Sequence, residues 1–108
     1  GRLPLWLAPD QVVVLPVSEK YNDFAKKVCD LLNNSDIRAS IDDRNETIGK
    51  KIRENELKRM PFQLIVGEKE VSSNSVSVRK QGGEDLGAME VEKFIAYIKA
   101  EIEAQLAK

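Results

Sequence analysis

Histidine is absent from this 108-residue chain, and cysteine occurs once, at position 29. One cysteine rules out an intrachain disulfide, and the two shortages together leave no ligand set for a His/Cys zinc site. They also remove Ser-His-Asp and Cys-His nucleophile arrangements and any histidine acid–base chemistry. Set among Val28, Leu31 and Leu32, Cys29 reads as a buried thiol in a reducing compartment, so a cytoplasmic protein is expected. Long apolar runs are missing too: none approaches the roughly 20 residues that a membrane span needs. The N-terminus shows none of the basic, apolar and small-residue segments of a secretion signal.

What is present suits a soluble globular domain. Apolar residues make up 42% and charged residues 32% of the chain, enough for one core and too apolar for wholesale disorder. The net charge of −1 argues against a polycation that coats nucleic acid indiscriminately. The charge is unevenly spread. Residues 44–59 hold six Lys/Arg against three Asp/Glu, whereas residues 84–108 hold three Lys against six Asp/Glu. A polyanion would therefore meet the first of these segments.

The prolines of "GRLPLWLAP" predict an extended lead-in. "QVVVLPV" is a β-branched apolar run that suits a strand buried on both faces. From Ser18, a stripe of Tyr21, Phe24, Ala25, Val28, Leu31 and Leu32 predicts a helix stopping at Asn33-Asn34. "IRASID" alternates as a second strand. Thr47 can cap a helix running to about Arg59, with a weak stripe of Ile48 and Ile52 and with Leu57 on the opposite side. "FQLIV" is a third strand, "SVSVR" a fourth and half exposed, "QGGEDLG" a turn-rich loop. Val91, Phe94, Ile95, Ile98, Ile102 and Leu106 define a last, long amphipathic helix.

The order β-α-β-α-β-β-α predicts a three-layer α/β domain with right-handed crossovers. The connection "GEKEVSSN" shows no helical period, and its length favours a hairpin into an antiparallel edge strand. Ligands of such sheets sit at the carboxyl ends of the parallel strands, where "PVSE", "DDRNET" and "GEKE" should meet. A nucleotide pocket needs glycine in the first of these loops, and "LPVSEK" has none. A phosphoacceptor site needs acids after the first and third strands, but Asp42-Asp43 follow the second alone. Hydrogen-bonding side chains remain: Arg44, Asn45, Thr47, Arg53, Arg59, Lys69, Glu70 and Arg79. On the residues alone they are either a solvated charged rim or a set that reads unstacked bases.

The blocks "GRLPLWLAPDQVVVLPV", "DDRNETIGKKIRE", "MPFQLIVGEKEV", "SVSVR" and "DLGAM" resemble, in order and spacing, the C-terminal anticodon-binding domain of class II threonyl-tRNA synthetases. The likeness runs from Leu3 to at least Phe94. "LAPxQV" and "IGxKIRE" recur in the prolyl, glycyl and histidyl relatives, whereas Trp6 before Leu7-Ala8-Pro9, with "VSVR" and "DLGAM", is most similar to the threonyl branch. Asp10 departs from the family's usual apolar residue. Lys50 stands where an aromatic is frequent, which puts a stacking contact from that position in doubt.

The resemblance implies a mixed five-stranded sheet with three helices, residues 1–10 forming the lead-in from a preceding catalytic domain and 11–108 the anticodon-binding domain. It implies a role: gripping the anticodon loop of tRNA(Thr) with its bases splayed. Asn45, Arg59, Glu70 and Arg79 would read bases from one cleft, with supporting contacts from Arg44, Arg53 and Lys69. On charge alone, Lys50 and Lys51 are expected to be surface phosphate contacts that hold all tRNAs alike. No catalytic residue, metal or cofactor is expected in the chain itself. ATP, Mg and Zn would belong to a parent ATP-dependent threonine–tRNA ligase, homodimeric through its catalytic domain, with the isolated domain a monomer. The alternatives are the same module from a prolyl, glycyl or histidyl relative, or the fold reused to bind a protein.

Overall fold

The apolar β-branched runs become the parallel centre of a sheet. In the computed structural model, which describes residues 4–107, β1 (Val12–Pro16) lies between β2 (Ala39–Ile41) and β3 (Phe62–Val66). Both neighbours pair with it in parallel, Val12 standing opposite Ala39 on one side and Phe62 on the other. Every residue of β1 is buried, as expected of a central strand covered on both faces. β4 (Ser75–Lys80) and β5 (Glu84–Glu90) complete the order β2-β1-β3-β4-β5 as antiparallel additions.

Two right-handed crossovers from a central strand put successive helices on opposite faces. α1 (Asn22–Asn34) and the C-terminal α4 (Val91–Leu106) cover one face; α2 (Ile48–Leu57) covers the other. The first face is the core. Val12, Val14, Phe62, Leu64, Val76 and Val78 meet Ala25, Val28, Leu32, Phe94 and Ile98 there, and the rings of Phe62 and Phe94 make an edge contact at 5.4 Å. Cys29 lies in the same cluster, where burial raises its thiol pKa.

Four local expectations are corrected. The lead-in is not extended throughout: Leu5–Leu7 form a 3-10 turn, and residues 1–3 lie outside the described residues. Arg38 ties that turn down by donating to the carbonyls of Trp6 and Ala8 at 2.7–2.9 Å. α1 is preceded by a separate 3-10 turn, Glu19–Tyr21. "GEKEVSSN" is not without helix, because Glu68–Ser73 form the six-residue α3. In "QGGEDLG" only Gln81–Gly83 are a turn, and β5 begins at Glu84. The five strands implied by the resemblance are present, with its three long helices and α3 as a short fourth.

Candidate nucleic-acid interface

α2 packs on the sheet through a polar face. Thr47 caps it, its hydroxyl accepting from the Lys50 amide at 3.3 Å. One turn on, Lys51 and Asn55 point inward and are buried. The Lys51 ammonium donates to the carbonyl of Pro16 at 3.1 Å, and Asn55 donates to Asp42 Oδ2 at 3.0 Å. From the sheet, Gln63 donates to the carbonyl of Ile52 at 3.3 Å. These contacts overturn one expectation: Lys51, 2% exposed, is no surface phosphate contact. Lys50 is exposed and pairs with Glu46 at 3.2 Å.

The opening of α2 is braced by an ionic clasp. Arg44 holds both Asp42 oxygens, at 2.7 and 2.8 Å, and its third nitrogen lies 2.7 Å from Glu54. The Arg44 hydrogen bond is the main reason that Asp42 titrates at about 2; burial opposes it and Asn55 assists. The same carboxylates push the Arg44 pKa above its ordinary value. Arg44 is therefore engaged within the protein, whereas the neighbouring Asn45 is exposed and makes no side-chain hydrogen bond among the described residues. Asn45 lines a cavity of about 310 Å³ at the carboxyl ends of β1 and β2, together with Ser18, Asn22, Asp43 and Lys51.

A second set of polar groups runs along β4. Val76 and Val78 face the core, so Ser77 and Arg79 face the α2 side. Glu70, on α3, accepts from the Gly67 amide at 2.7 Å with one oxygen and from the Ser77 hydroxyl at 3.1 Å with the other. The first bond is the acidic half of a capping box, so Glu70 is anchored by its own helix start. Arg79 donates to Glu56 of α2 at 3.2 Å, while its buried Nε and the buried Oε1 of Gln63, its cross-strand neighbour, find no partner among the described residues.

At its far end, α2 closes in a Schellman motif: Met60 N–H bonds the Asn55 carbonyl and Arg59 N–H the Glu56 carbonyl. The position that this motif normally gives to glycine is taken by Arg59, with φ +60°. Arg59 lines a groove of about 520 Å³ with Arg53, Glu56, Leu57, Gln81 and Gly82. Leu57, off the apolar stripe, is 77% exposed there.

The structure thus brings Glu70 and Arg79 onto one face of β4, and links Arg79 through Glu56 to the groove of Arg53 and Arg59. Asn45 and Arg44 stand at the other end of α2, and Lys69 is exposed on α3. Instead of sharing one cleft, Arg44 and Asn45 line one concavity and Arg53 and Arg59 another, one at each end of the helix, while Glu70 and Arg79 line neither of these two. Ser77, Glu56 and Gln63 are neighbours of these residues that sequence reasoning did not single out. Ser77 alone carried a signal, its place opposite the valines of an alternating strand. Among the described residues there is no cluster of metal-binding side chains, and no helix is long and apolar enough to cross a membrane.

The chain matches the model described as "Anticodon binding domain" over residues 11–101 and belongs to that family. Its relatives point to one branch: it is 57% identical to the threonine–tRNA ligase of Cytophaga hutchinsonii over 107 residues and 54% identical to that of Parabacteroides distasonis over 106. These matches cover 99% and 98% of the chain but only 17% and 16% of the two ligases. Among solved structures, the RNA binding domain of threonyl-tRNA synthetase from Cryptosporidium parvum superposes with a TM-score of 0.88 at 32% identity, covering 94% of this chain and 26% of that one. Prolyl-tRNA synthetase from the same organism gives 0.82 at 26% identity, covering 94% and 22%.

Proposed function

We propose that this chain is the anticodon-reading part of a threonine–tRNA ligase, holding the splayed anticodon bases of tRNA(Thr) for a catalytic domain elsewhere in the same polypeptide. The observation that carries the reading is the polar run Glu70, Ser77, Arg79 and Glu56 across α3, β4 and α2, which offers donors and acceptors together on a sheet face beside Arg53 and Arg59. Asn45, Arg59, Glu70 and Arg79 contact bases, and Arg44, Arg53 and Lys69 support the loop. Recognition is by differential satisfaction: a wrong base leaves a desolvated donor or acceptor unpaired, at a cost of about 1–3 kcal/mol each. The chain itself carries out no chemistry. ATP, Mg and Zn act in the catalytic part of a cytoplasmic, homodimeric parent enzyme, from which residues 1–10 lead in, and residues 11–108 are a monomeric unit when isolated.

Titration of the chain with anticodon stem-loops tests this. A threonine-type loop should bind more tightly than loops carrying proline, glycine or histidine anticodons on the same stem, and Arg79→Ala should weaken the threonine-type loop at least tenfold. Equal binding of all loops would remove the reading, and preference for a proline-type loop would transfer it to the relative whose fold is shared at a TM-score of 0.82.

A further inference from the structure

Gln63 alone interrupts the apolar run of β3, and it is 3% exposed. Its amide nitrogen donates to the carbonyl of Ile52 on α2 at 3.3 Å. That carbonyl can only accept, so the amide is held nitrogen-first and Oε1 is its free end. Oε1 is buried and has no partner among the described residues. Directly across the strand pair stands Arg79, whose Nε is buried and equally without a partner among the described residues. An Nε–H only donates and an amide oxygen only accepts, so the two orphaned atoms are complementary. Opposed residues of an antiparallel pair have Cβ atoms about 4.5–5.5 Å apart, within reach of two side chains this long. Buried polar groups rarely stay unpaired, because each that does carries its full desolvation penalty.

Arg79 is tied instead to Glu56. The contact is a single hydrogen bond at 3.2 Å between two part-exposed side chains, a kind of ion pair that contributes little. Arg38 shows a better arrangement in this same chain: its Nε and Nη2 both donate to one oxygen, the carbonyl of Ala8, at 2.9 and 2.7 Å. Held in that way by Gln63 Oε1, a guanidinium keeps three of its five N–H groups for other partners. Leaving Glu56 is unfavourable until something else accepts from those three. Unstacked bases supply the acceptors, as carbonyl oxygens and ring nitrogens.

Resting on the anticodon-reading role proposed above, we infer that Gln63 is a positioning residue for Arg79. With RNA bound, Gln63 Oε1 accepts from the Nε edge of Arg79, and the guanidinium leaves Glu56. Three N–H groups and the freed carboxylate then face the bases. Gln63 does not touch the RNA; it acts by fixing the plane of the guanidinium.

The test is a double-mutant cycle on the intact chain, titrated with a threonine-type anticodon stem-loop. Gln63→Met keeps the buried stem and removes the acceptor. It should weaken binding roughly tenfold, the value of a hydrogen bond to a charged donor. In an Arg79→Ala protein, which lacks the donor, it should weaken binding no further. Equal losses in both backgrounds mean a merely structural role and overturn the inference, as does parent-like binding by Gln63→Met. Either result leaves the anticodon reading standing where the parent prefers the threonine-type loop, whereas a parent that binds all loops alike removes both. Should Gln63→Met fail to fold, the parent decides by NMR. A scalar coupling across the hydrogen bond from Arg79 Nε to Gln63 Cδ should appear when the stem-loop is added. No coupling in the complex, or the same coupling before RNA is added, overturns the inference.

Discussion

Arg59 occupies a backbone position that an L-residue enters at a cost, and the cost can be separated from the side chain's use. At φ +60° it closes the Schellman motif of α2, and it lines the groove with Arg53. Left-handed backbone costs a residue with a Cβ roughly 1–2 kcal/mol, and glycine is exempt. Glycine returns about 0.4–1 kcal/mol of that through its freer unfolded chain. Arg59→Gly should therefore be more stable than Arg59→Ala by about 1 kcal/mol, which for a domain of this size raises the melting temperature by roughly 5 °C. Both variants lack the guanidinium, so both should bind a threonine-type stem-loop at least tenfold more weakly than the parent. Thermal unfolding of the pair, followed by circular dichroism, and RNA titration of all three proteins read the two effects independently. Equal melting temperatures for the alanine and glycine variants would refute the backbone reasoning. Parent-like binding by Arg59→Gly would refute the role of the side chain.

The Asp42 clasp predicts a pH effect of defined sign. Its folded pKa, about 2, lies below the ordinary 3.8, so its contribution is complete above pH 4 and drains away as the pH falls towards 2. Allowing for a partner, Arg44, that is itself 44% exposed, this amounts to about 1–2 kcal/mol. The stability gap between the parent and Asp42→Asn, measured by urea unfolding, should close over that window, and a gap constant from pH 6 to pH 2.5 counts against the clasp. Glu70→Ala should cost about 1–3 kcal/mol by removing the cap on Gly67 and the acceptor for Ser77, whereas Glu70→Gln keeps the former and costs less. Unchanged urea midpoints for Glu70→Ala would show that neither bond matters.

The parallel centre of the fold was legible because β1 is an unbroken apolar run, because β3 is interrupted by Gln63 alone, and because α1 and α4 carry full stripes. β5 escaped notice for a physical reason. It is an edge strand with most residues exposed, so it has no apolar alternation, and its one glycine marks an irregularity of the strand rather than a loop. Gly87, at φ +80°, stands opposite Val78 where the β4–β5 register slips, as expected for a glycine bulge. α3 escaped because six residues are too few to show a period. The polar members of the site were legible as residue types, but their company was not. The buried face of α2 is built from Lys51 and Asn55, so charge in the sequence did not mean solvent, and a stripe count of α2 could only look weak. The distance between the two ends of α2, which separates Asn45 from Arg59, depends on the helix running back across the sheet.

Amide hydrogen exchange of the chain with and without a threonine-type anticodon stem-loop tests the central claim most directly. Exchange should slow over residues 42–50, 68–72 and 76–81, the loops and strand that flank α2, and stay unchanged over 22–34 and 91–106, the helices on the core face. Protection confined to those two helices, with none along β4, would contradict it.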